Sequence, residues 1–128
     1  MEGYYTGRIS SIDAKRGFVK VTYPQENNIV SGWLPLLGNE YNVPEVGALV
    51  ATILDEKGEG ICLGKIFSYG QPPPVSDGYG KEFAGVKITA KDGTVNIDLG
   101  GASVVYRKST GTLKLSAEKI VLDGYDPT

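Results

Sequence analysis

The last third of the chain, Val86 to Asp123, alternates apolar and polar residues through the short segments VKITA, TVNIDL, SVVYR, TLKLS and KIVLD. Asp92-Gly93, Gly100-Gly101 and Ser109-Thr110-Gly111 separate them, each a combination that favours tight turns. Residues two apart point to the same side of a strand. Val86, Ile88 and Ala90, then Val95, Ile97 and Leu99, then Leu113, Leu115 and Ala117, and finally Ile120 and Leu122 therefore share one apolar face. Only Ser103 to Arg107 alternates poorly, with Val104, Val105 and Tyr106 adjacent. Such a face has to be packed against a second layer, and no segment of the chain has the period of an amphipathic helix that could supply it. The simplest cover is the same face of another copy. The sequence thus predicts an obligate β-rich oligomer whose core is Ile88, Val95, Ile97, Leu99, Leu113, Leu115, Ile120 and Leu122.

The 18 Gly and 7 Pro among 128 residues suit many tight turns and have no collagen period. The first half reads as further strands: Tyr4 to Ile12, Gly17 to Tyr23, Ile29 to Leu36, Ala48 to Leu54 and Ile61 to Phe67. Gln25 to Asn28 is a polar turn, Asn39 to Pro44 a loop held by Tyr41 and Val43, and Asp55 to Gly60 a charged hairpin turn. That count and size fit an OB-type barrel over residues 1–70. Gly70-Gln71-Pro72-Pro73-Pro74 then forms a stiff boundary. Residues 71–85 read as a connector poor in large apolar side chains, and residues 86–128 as the β-segment described above.

Chemistry is sparse. With no His and one Cys, a zinc-type site is not expected, and Cys62, inside the apolar run GICLGKIF, reads as a buried hydrophobe. Asp55, Glu56 and Glu59 read as a solvated turn rather than a cation site. Nucleophilic catalysis lacks its usual base, so no catalytic residue and no cofactor are expected. A glycan hydrolase built on two carboxylates stands as a third-ranked reading. Arg8, Lys15, Arg16, Lys20, Lys57 and Lys65 are outnumbered by acids in residues 1–67, which argues against nucleic acid as a partner. The Met1 to Ser11 segment has no apolar stretch of a secretory signal, and no run approaches the ~20 apolar residues of a membrane-spanning helix.

The ordered series VKVTYPQ, SGWLPLLG, YNVPEVGALV and GICLGKIFSYGQPPP resembles the N-terminal OB domain of contractile-tail spike proteins. These form the baseplate assembly protein V family of phages, R-type bacteriocins and related injection particles. The resemblance runs over about residues 3–74 through Gly7 and Ile9, Val19 and Val21, Tyr23-Pro24, and Ser31, Trp33, Leu34 and Pro35. It continues through Pro44, Val46, Gly47 and Val50, then Gly64, Ile66, Pro72 and Pro73.

The resemblance implies an all-β chain: an N-terminal OB-fold collar followed by a short C-terminal trimeric, intertwined β-helix or β-prism. It places Trp33, Leu34, Val46 and Val50 in the collar core or its interface. It implies a structural, non-enzymatic central spike in a virion or extracellular tail-like particle, made in the cytoplasm without a signal peptide. The partners would be two further copies, the tail tube and baseplate hub, a separate tip-capping protein and the target envelope. The His-x-His iron site that some members carry at the tip has no counterpart here, and residues 75–85 leave no room for the lysozyme domain that others carry. The runner-up is an OB-fold binding module, for nucleic acid or another ligand, with a β-strand oligomerisation tail.

Overall fold

A computed structural model describes residues 1–124, and among these the protein is all-β, with eleven strands and one 3-10 turn. It divides into two compact units, Met1–Pro72 and Pro73 onward.

The first unit is organised by β1 (Gly3–Asp13), long enough to pair with β2 (Phe18–Tyr23) on one side and β5 (Leu49–Leu54) on the other. Between them in sequence lie the 3-10 turn Pro24–Glu26, β3 (Ile29–Val30) and β4 (Leu34–Pro35), and β6 (Gly60–Lys65) follows β5. The antiparallel order is β3-β2-β1-β5-β6, with β4 also on β2. Leu36 then makes a parallel bridge to Cys62, so the pairings lead from β6 round to β4 and back to β6.

Two register slips, between Ile9 and Ser11 and between Ala51 and Thr52, bend these strands. Gly7 lets β1 lie close against β2. A Cβ there would lie 2.6 Å from both the Thr22 carbonyl oxygen and Val21 Cγ1. Alternation does the rest: Val19, Val21 and Tyr23 of β2 meet Ile9, Val50 and Leu34 in a closed core.

Ile29 to Leu36, expected as one strand, is two short ones broken at Ser31-Gly32-Trp33. Ser31 explains the break. Its backbone N–H donates to the Val21 carbonyl at 2.8 Å while its Oγ accepts from the Val21 N–H at 2.9 Å. One residue thus satisfies both Val21 backbone groups, and the ladder need not continue. The charged turn is held by Asp55, whose carboxylate accepts from the Lys57 and Glu59 N–H groups at 2.8 and 3.0 Å.

The second unit is a five-stranded antiparallel meander of β7 (Tyr79–Phe83), β8 (Val86–Lys91), β9 (Thr94–Asp98), β10 (Ala102–Arg107) and β11 (Thr112–Ala117). Ala84-Gly85 and Asp92-Gly93 have positive φ at both positions, which matches the right-handed twist of two-residue hairpins.

Two further expectations need correction. The segment read as a connector holds β7, which pairs with β8 from Tyr79↔Ala90 to Phe83↔Val86; Gly80, Lys81 and Glu82 had concealed its alternation. Conversely, KIVLD, expected as a strand, is unpaired among the described residues. The final residues of the 86–128 segment, 125–128, lie outside the described ones.

Candidate functional site: an uncovered apolar sheet face

In antiparallel pairing, residues directly opposite each other lie on the same side of the sheet. The register sets Ile88 against Ile97, Ile97 against Val104 and Val104 against Leu115 in one row. Ala90, Val95, Tyr106 and Leu113 form the next. Tyr79 and Phe83 of β7 continue the same side through their partners Ala90 and Val86. The register also resolves the irregular Ser103 to Arg107 segment: Val104 and Tyr106 join the apolar side and Val105 goes to the other.

That other side is polar. Lys87, Asp98, Ser103 and Ser116 make one row, and Thr89, Asn96, Val105 and Lys114 the next. Leu99 lies just past β9, where its N–H donates to the Ala102 carbonyl at 2.8 Å.

Among the described residues of this unit, none forms a second layer over the apolar side. No described residue from Pro73 onward is buried. Leu113 is 61% exposed, and Val95, Leu99 and Leu115 are exposed as well, whereas Ile88 and Ile97, in the middle of the sheet, are half-buried. Ile120 and Leu122 are exposed beyond the last strand. A single-layered sheet with an apolar side in water is not a stable end state. Chemically, the surface can do one thing well, which is to exclude water against another apolar layer, at about 1.5–3 kcal/mol per fully buried large aliphatic.

The four collar residues separate. Leu34 and Val50 are in the core of the first unit. Trp33 and Val46 are 40% and 63% exposed and so are not core residues. Trp33 lies in the Ser31–Trp33 break, outside the alternation that would have turned it inward.

Its setting was not foreseen from sequence. The Arg16 guanidinium is 4.6 Å from the Phe18 ring centroid and 5.9 Å from that of Trp33, and Lys20 Nζ is 5.0 Å from Trp33. Arg16 Nε also donates to Asp13 Oδ2 at 2.7 Å, and this bond holds the Asp13 carboxyl below its ordinary range. The only sequence signal was the two-residue spacing of Phe18 and Lys20, which places them on the side of β2 opposite Val19 and Val21, with Arg16 in the turn just before.

Among the described residues no group of three His, Cys, Asp or Glu side chains is placed to hold a metal ion. Cys62 is buried, and burial raises its thiol pKa. No described helix is long and apolar enough to cross a membrane. The fold and surface therefore define a two-sheet, all-β protein with one sheet whose apolar side is exposed. No protein-family model matches the chain, and no curated protein shows significant similarity to it.

Proposed function

We propose that the chain is the central spike of a contractile phage tail or tail-like injection particle, acting as a homotrimer with a mechanical rather than catalytic role. The observation that carries this reading is the uncovered apolar side of β7–β11. Three such sheets, related by a three-fold axis, turn the Ile97–Leu115 row and the Val95–Leu113 row inward and their polar rows outward. The result is a β-prism with a dry core.

The first unit fits the collar. Its pairing route (β1 with β2 and β5, β2 with β4, β5 with β6, and a parallel Leu36–Cys62 link back to β6) supports a small closed barrel of OB type. In this role the spike transmits the thrust of the tail tube into the target envelope. A prism cross-linked by strand hydrogen bonds and filled with aliphatic side chains resists buckling. Tube and hub proteins behind it and a tip-capping protein ahead of it complete the proposed assembly.

Immunogold labelling of sheathed particles from cells that encode the chain tests the assignment. Label at the baseplate end of the tube is expected; particles that assemble fully without any label contradict it.

The Arg16–Phe18–Lys20–Trp33 cluster favours the second reading, an OB-fold binding module, because aromatic rings beside cations can stack and neutralise a single-stranded nucleic acid. Arg16 is already engaged by Asp13, which weakens it. Affinity for single-stranded DNA that falls steeply with salt supports this reading, and no binding at low salt removes it.

A further inference from the structure

We propose that Lys119–Asp123 completes its strand on a second copy of this chain, pairing antiparallel with the open edge of that copy's β7. This rests on the trimeric reading above and specifies how its sheets are joined.

The segment has the composition of a strand and no strand partner among the described residues. Ile120 and Leu122 fall on one side and Val121 on the other, and the three are 52%, 69% and 69% exposed. Its own sheet cannot supply the partner. Only Glu118 separates Lys119 from Ala117, the end of β11, and a hairpin return onto β11 needs a turn of at least two residues. The other open edge, β7, is four strand spacings away, ~19 Å at ~4.8 Å each, while two residues of chain span at most ~7 Å. A second copy removes both obstacles.

The edge of β7 suits this segment in length and in side chains. Both span five residues. With Lys119 opposite Glu82, Ile120 faces Lys81, Val121 faces Gly80 and Leu122 faces Tyr79. Ile120 and Leu122 then extend the apolar side that Tyr79 and Phe83 begin. Val121 arrives over Gly80, where the Val75 side chain already lies: a Cβ on Gly80 would be 2.5 Å from Val75 Cγ2. Two valines thus fill the space above a glycine, and Lys119 and Glu82 make an opposite-charge cross-strand pair.

Shifting the register by one residue would turn Ile120 and Leu122 to the polar side. The parallel arrangement over the same residues would set Ile120 beside Gly80 and Leu122 beside Glu82, on the polar side. Because the donor segment and the acceptor edge are different surfaces, the contact is head-to-tail, and such contacts close when a rotation axis relates the copies. The same pairing also removes one exposed edge per chain.

The test uses the full chain carrying Lys119→Cys and Glu82→Cys, in which the only other cysteine, Cys62, is buried. The protein is oxidised, or treated with a short bis-maleimide, and run on a denaturing gel, with its native mass measured in parallel by light scattering. Most of the chain in two-fold and three-fold covalent bands is the expected result. A trimeric native mass with only monomer bands overturns this pairing and leaves the trimer standing. A monomeric native mass overturns the trimer and this pairing together.

A charge exchange provides a second readout free of cysteine chemistry. Lys119→Glu lowers the temperature at which the trimer dissociates, and adding Glu82→Lys restores it. Equal losses that simply add in the double variant contradict the contact.

Discussion

At the scale of single residues, the first unit turns on one buried polar group. Thr52 is fully buried within the strand that crosses β1. Its single hydroxyl proton goes to the Tyr5 carbonyl at 3.0 Å, so at 2.9 Å the Tyr23 hydroxyl donates to it. Thr52→Val keeps the shape and strands the Tyr23 hydroxyl in the core, at a cost of about 1–3 kcal/mol. Tyr23→Phe leaves Thr52 bonded to Tyr5 and costs less, about 0.5–1.5 kcal/mol. Urea unfolding followed by the fluorescence of Trp33, the sole tryptophan, gives the order; equal effects would contradict the direction of these bonds. Burial raises the pKa of both the Cys62 thiol and the Tyr23 phenol. The folded state therefore holds these protons more tightly than the unfolded state. Their contribution is whole below the ordinary values of 9.0 and 10.0 and declines as pH rises beyond them. Unfolding midpoints should fall between pH 9 and 11, and a thiol reagent should reach Cys62 only on unfolding.

At the scale of elements, Gln71 closes the first unit. Its side-chain amide acts as an extra strand residue: Oε1 accepts from the Leu49 N–H at 3.0 Å, and Nε2 donates to the Leu49 and Ile66 carbonyls at 2.8 and 2.5 Å. Gln71→Ala should speed hydrogen exchange at the Leu49 amide about ten-fold or more, since 1.4 kcal/mol is one decade and several bonds are lost. Unchanged exchange would mean that this clamp is idle. Nothing in the sequence marked Gln71, because a clamp made by one amide leaves no periodic trace. Alternation did mark the remaining strands of the meander and the apolar side that they share. It failed in three places, for different reasons. β7 carries Gly80, Lys81 and Glu82 between its two aromatics, and its pairing is fixed by the Ala84-Gly85 turn rather than by its own pattern. The Ser31 side chain ends a strand that the apolar count of Ile29 to Leu36 would continue. KIVLD has the pattern but no edge within reach. Trp33 and Val46 show the same limit from the other side: an apolar residue in a loop has no alternation to say which way it faces.

At the scale of the whole molecule, the apolar side of β7–β11 carries one charged strand residue, Lys81 opposite Ile88, and the other polar residues of these strands lie on the opposite side. Leu115 sits in the same row as Ile97, so both reach the axis of the proposed trimer. Leu115→Asp or Ile97→Asp would bury a set of unpaired charges there. Either variant should run as a monomer at micromolar concentration while the first unit keeps its Trp33 fluorescence. A trimer of unchanged stability would remove these positions from the core. The most direct measurement is the solution mass by light scattering, for the full chain and for the chain cut after Pro72. Three times the 13.7 kDa chain mass for the full chain, with a monomer for the truncated one, is the predicted result. A monomeric full-length chain would contradict it, because the apolar side of the meander would then have no second copy to cover it.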